Sequence, residues 1–185
     1  MKSVHLLGLD PGLATMGWTV IEFTPTGDKF VEAGVLRTEK SDKKRVVLAS
    51  DDNLRRAREA ADKLYYLFQT YQFSAICAES MSFPRSSSAA AKVAMVWGAL
   101  AMLTAVHPIS VVQASPQEVK KHLCGKRDAS KEEVEAEVKK RYPTMEAALA
   151  DVPKSFREHP YDAAAVLLTA MDKSELIRAI RNMAA

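Results

Sequence analysis

The sequence predicts an α/β fold: a mixed five-stranded sheet, strands 1-2-3 antiparallel and the later ones parallel, flanked by helices on both faces. Three observations carry that prediction. Three β-rich runs separated by turn signals open the chain. Strand-like and helix-like segments then alternate. Two short apolar runs, each closing on an acid, read as central strands covered on both sides.

Val4 to Asp10 is the first strand, ending in the turn Asp10-Pro11-Gly12. Gly17 to Thr24 is the second, followed by the turn signal Pro25-Thr26-Gly27, and Phe30 to Leu36 is the third. The charged stretch from Lys40 to Arg45 is an exposed connection. From Asp52 to Phe68, Leu54, Ala57, Ala61, Leu64, Tyr65 and Phe68 recur at helical steps and predict an amphipathic helix, with acids ahead of it as capping candidates. Phe73 to Ala78 is the fourth strand. Ser86 to Ala105 predicts a long, mostly buried helix, and Ile109 to Gln113 the fifth strand. Ser115-Pro116 with Glu118 starts one helix, and Ser130 with Glu133 forms a capping box for the next. Pro143 and Pro153 bound an irregular stretch. His159-Pro160 opens an Ala-rich helix with His159 at its cap, and the segment from Lys173 onward predicts a final surface helix. Neither repeats nor a low-complexity linker interrupt the pattern, so residues 1–185 read as a single domain.

Composition narrows the function classes. With 48% hydrophobic and 26% charged residues, the chain is an ordinary globular sequence, and a formal charge of +3 permits a nucleic-acid partner without requiring one. Cys77 and Cys124 have neither disulfide-framework nor zinc-site spacing, which points to reduced thiols in a cytoplasmic protein. The N-terminus meets a charge and a Pro-Gly turn too early for a secretory signal. The run from Ala89 to Val106 comes nearest to membrane-spanning length, but Lys92 and Gly98 mark it as a buried helix. No membrane partner is expected.

Four residues carry the chemistry. Asp10 and Glu79 each end a strand-like apolar run, so the two carboxylates lie side by side if those strands are neighbours. Like charges so placed repel unless a cation neutralises them. His159 and Asp162, three apart at a helix start, share one face, and the alanines after them allow close packing against a sheet. Carboxylates gathered from strand ends and a helix start are what a hard divalent cation needs. A short basic stretch, Lys120, Lys121, Lys126, Arg127 and Lys131, is the candidate phosphate-binding surface.

Taken in order, these residues strongly resemble the RuvC-type Holliday junction resolvases of the RNase H-like superfamily, along nearly the whole chain. The resemblance is carried by Gly8-Leu9-Asp10-Pro11-Gly12, Gly17-Trp18, the Glu79 strand, Val119-Lys120, Gly125, Lys131 and the closing motif from His159 to Ala163. It implies an RNase H-like fold and a homodimeric endonuclease that nicks two strands of a four-way DNA junction in recombination and repair. It also implies two Mg²⁺ ions, with Mn²⁺ an admissible substitute. Asp10 would bridge the ions, Glu79 and Asp162 would complete their shells, and His159 would ligate or orient the nucleophile. Lys120 and Lys131 would meet the DNA backbone with Lys126 and Arg127 assisting. Phe83 would stack into the opened junction unless it is core, and Arg85 with the following serines would meet phosphate. A branch-migration motor is a conceivable further partner. Two other readings stay open at this point: another RNase H-like nuclease acting on branched DNA or RNA, and a junction-binding module without catalysis, against which the retained acids argue.

Overall fold

The computed structural model describes residues 4–42, 46–81 and 86–184. Its strands are β1 (Val4–Asp10), β2 (Thr15–Thr24), β3 (Gly27–Arg37), β4 (Phe73–Glu79) and β5 (Ser110–Ala114). Its helices are α1 (Ala49–Thr70), α2 (Ser87–Val106), α3 (Pro116–Cys124), α4 (Lys131–Arg141), α5 (Met145–Ala148), α6 (Glu158–Lys173) and α7 (Glu175–Ala184), with one 3₁₀ turn at Lys154–Phe156. The strands lie in the order β3-β2-β1-β4-β5. The first three form an antiparallel meander, and β1–β4 and β4–β5 are parallel, as the sequence predicts.

Strand β1 sits at the centre, and its side chains alternate between two cores. Leu6 points with Ile21 and Cys77 into the layer covered by α3, α4, α6 and α7. Leu7 and Leu9 point with Val20 and Ile76 into the layer covered by α1 and α2. Burial on both faces explains why β1 and β4 read as continuous apolar runs. Helix α6 carries the densest packing, with every residue from Ala163 to Met171 buried.

Several boundaries and faces depart from expectation. Helix α1 starts at Ala49 after Leu48, with no side-chain cap, and runs to Thr70. Its buried face is Arg56, Ala57, Ala60, Leu64, Leu67 and Phe68, while Leu54 and Tyr65 are exposed. Arg56 belongs inside because its guanidinium donates to the Thr38 hydroxyl and carbonyl, and that hydroxyl donates in turn to the Leu13 carbonyl. Helix α2 is not mostly buried: only Val96 and Leu100 are enclosed. The stretch between Pro143 and Pro153 contains the one-turn helix α5, anchored by buried Met145. His159 lies inside the first turn of α6, because the helix begins at Glu158 with Arg157 at its cap. The last helix is only partly a surface element, since Ile177 and Ile180 are buried. The capping box expected at Ser130 with Glu133 is present, and the helix start at Ser115 proves to be a second one, with Glu118.

Candidate active site

The parallel pairing of β1 with β4 sets Leu9 beside Ala78, so the next residues along, Asp10 and Glu79, end adjacent strands side by side. Helix α6 must then come close to the sheet, and two glycines let it. A Cβ on Gly8 would meet the Ala163 carbonyl oxygen, and one on Gly17 would meet the His159 backbone. Thr19, fully buried, donates its hydroxyl to the Pro160 carbonyl at 2.9 Å and fixes the start of α6 over β2. Through this slot His159 reaches Asp10, with 2.7 Å between His159 Nδ1 and Asp10 Oδ2.

The four residues line one cavity of about 330 Å³ together with Lys120 and Lys131, against a wall of Val119, Val134 and Val166. Crowding of the acids leaves an electrostatic mark. Burial, then the neighbouring Asp10 and Asp162 charges, pushes the Glu79 carboxyl up to about 7. Burial, then Asp10, pushes Asp162 up to about 6. His159 is raised by its hydrogen bond to Asp10, with the surrounding acids adding to the effect. Burial first and like charge second favour the neutral form of both carboxyls in this cavity.

The donor set fits a hard divalent cation: three carboxylates and an imidazole, with no thiolate among them. In the side-chain positions seen here, no three His, Cys, Asp or Glu residues converge tightly enough to share an ion, among the described residues. Asp10 is instead turned to His159, and Lys131 Nζ lies 3.9 Å from Asp162 Oδ2. The Lys131 ammonium offsets carboxylate charge that would otherwise repel, and His159 adds to this when protonated.

The basic stretch divides. Lys120 and Lys131 face the cavity. Lys126 is outside it, held by Glu133 at 2.6 Å, and Arg127 is exposed. Phe83 and Arg85 lie outside the described residues. One neighbour was not anticipated: Glu158 Oε2 accepts from Lys131 Nζ at 2.5 Å. An acid immediately before His159 was the available signal, but no periodicity points from it to a lysine in another helix.

A family profile described as crossover junction endodeoxyribonuclease RuvC matches residues 6–170. The chain belongs to the RuvC family. Among curated RuvC relatives, the protein of Natranaerobius thermophilus is 28% identical over 94% of this chain and 96% of its own length. That of a Synechococcus species is 30% identical over 91% and 96% respectively. Solved structures agree on the RNase H-like fold. Thermus thermophilus RuvC in complex with a Holliday junction substrate superposes with a TM-score of 0.71 at 22% identity, over 98% of this chain and 97% of that one. The yeast mitochondrial Holliday junction resolvase Ydc2 gives 0.67 at 13% identity, over 97% and 82%. The motif positions that carry the RuvC resemblance, from Gly8 to Ala163, all fall within the matched span.

Proposed function

We propose that this RuvC-family endonuclease resolves four-way DNA junctions as a homodimer, each protomer cutting one strand with Mg²⁺ held by Asp10, Glu79, Asp162 and His159. The single observation that carries the proposal is the convergence of these four side chains with two lysines in one cavity. Divalent ions bound there would activate a water for attack on the phosphodiester and neutralise the leaving 3′ oxygen.

The chain's own residues do the rest. Lys120 and Lys131 draw a backbone phosphate to the cavity mouth, a contact that orients DNA without reading sequence. Glu79 and Asp162, whose carboxyls are pushed up to about 7 and about 6, would shed any remaining protons as positive charge binds. Asp10 fixes the His159 ring through Nδ1, leaving Nε2 turned away from it. Val119, Val134 and Val166 limit the water that reaches the acids.

The proposal is tested with a substrate panel of four-way junction, flap, plain duplex and RNA–DNA hybrid. Paired, symmetric, Mg²⁺-dependent nicks confined to the junction are expected. Equal cutting of flap or hybrid would identify a nuclease of broader structural preference instead.

Dimerisation is inferred from α2. Its 20 residues have a mean hydropathy of 1.7 in their most apolar window, yet only 11% of that window is buried. Met102 and Val106 stand 68% and 70% exposed, and with Tyr65 of α1 they line an apolar groove. A second copy of this chain is the occupant that paired cutting requires. Exposed Leu54, Tyr65 and Tyr66 of α1 extend the same apolar face beside α2. Met102→Glu is expected to weaken the dimer at least roughly tenfold, because it places a charge in a desolvated contact. Sedimentation equilibrium reads the change, and an unaltered dimer constant would remove α2 from the interface.

A further inference from the structure

We propose that Glu158 is a positioning residue that holds Lys131 in reserve beside the acids and yields it to a DNA phosphate when substrate enters. The inference rests on the junction-cutting reading above and deepens it by naming what competes with substrate for one of the two cavity lysines.

The geometry is specific. Lys131 is the first residue of α4, following the Ser130 cap, and Glu158 is the first residue of α6. A helix start favours an anion and disfavours a cation. The ammonium is therefore badly placed for its own helix, and it leans across to the start of the other. There it lies 2.5 Å from Glu158 Oε2 and 3.9 Å from Asp162 Oδ2. The other oxygen, Glu158 Oε1, stands 3.8 Å from His159 Nε2. One carboxylate thus faces both a cavity lysine and the imidazole whose opposite nitrogen binds Asp10.

The exposure of the pair says how it would behave. The Lys131 side chain is 56% exposed and that of Glu158 is 39% exposed. An ion pair so open to water is weak and screened by salt, so it holds a side chain in place without resisting exchange. Duplex arms bring several phosphates at once, and one of them can displace a single carboxylate. Glu158 stands outside the cavity lining, whereas Lys131 is part of it. Exchange therefore needs only a reorientation of the lysine's end, with both helices left in place. Without substrate, the same contact keeps positive charge next to Asp162 and limits repulsion among the acids.

The test is a double-mutant cycle on junction binding without metal, which separates binding from the loaded enzyme's activity. Affinity of the full chain for a synthetic four-way junction in EDTA is measured for the unmodified protein, Glu158→Gln, Lys131→Met and the double variant. Glu158→Gln is expected to tighten binding roughly fivefold, the scale of one exposed ion pair. In the Lys131→Met background the same substitution should change affinity less than about twofold, because no lysine remains to be released. An equal gain in both backgrounds would overturn the proposal, since Glu158 would then act only as one more repelling charge. Weaker binding by Glu158→Gln would overturn it too, because Glu158 would be bracing Lys131 for substrate. Failure of the unmodified protein to bind or nick the junction would bring down the junction-cutting reading along with it. Normal binding and nicking with no coupling in the cycle would bring down this inference alone.

Discussion

Replacing Asp10 with asparagine is expected to lower Mg²⁺-dependent nicking of a four-way junction by roughly 10³-fold or more, while junction binding persists. Asparagine keeps the shape and removes the charge. The lost interaction is the charge–charge attraction that anchors a divalent ion, several kcal/mol of transition-state stabilisation, and about 4 kcal/mol corresponds to roughly 10³ in rate. Asp10 is the most connected of the acids: it ends β1 beside Glu79, accepts from His159 at 2.7 Å, and raises the carboxyls of both Glu79 and Asp162. Its neutralisation should therefore let Glu79 and Asp162 ionise at lower pH even as the centre fails. Lys120 and Lys131 remain, so affinity for the junction in EDTA should stay the same or rise. Gel-resolved nicking and anisotropy binding on one preparation check both halves. Nicking that survives the substitution would remove Asp10 from the mechanism.

A steep acid limb is the second large effect. As the proposed ligands, Glu79 and Asp162 would have to be ionised to hold a cation, and their carboxyls are pushed up to about 7 and about 6 before one is bound. At subsaturating Mg²⁺, the product of the two ionised fractions falls roughly 10³-fold between pH 8 and pH 5. The limb should approach a slope of two and move to lower pH as Mg²⁺ is raised, because ions and protons compete for the same oxygens. Stability of the ion-free protein should run the opposite way. These carboxyls lie above their ordinary 4.5 and 3.8, so the folded chain holds more protons than the unfolded one between about pH 4 and pH 7. Each unit of rising pH in that window costs stability. Raised His159 works in the same direction: its contribution is complete below 6.5 and is lost as pH climbs through its folded value. Melting curves with and without Mg²⁺ read this directly, and a single-slope rate profile centred near pH 4 would contradict the assignment.

Much of this arrangement was legible in the sequence, for physical reasons that can be named. A central strand buried on both faces must be apolar at consecutive positions, so an acid closing such a run stands out; Asp10 and Glu79 were found that way. The alanines after Asp162 announced a helix able to sit close to a sheet, and Gly8 and Gly17 are the other half of that fit. What stayed hidden depends on contacts that no local pattern encodes. Leu54 and Tyr65 repeat at helical spacing with the true core residues, but both stay exposed on α1, Tyr65 at the rim of the groove shared with α2. The apolar composition of α2 could not say whether its cover comes from within the chain. The Lys131–Glu158 pair joins two helix starts 27 positions apart, with a charge signature shared by many solvated surfaces.

The slot formed by Gly8 and Gly17 has a consequence for the life of the enzyme in a cell. On the proposed assignment, half of the metal-binding set would belong to the sheet and half to a helix, and close docking of one on the other unites them. A chain still folding, or one in which α6 has come loose, would therefore hold the two halves of that set apart. Cutting competence would then arise only once the protein has closed around its own core.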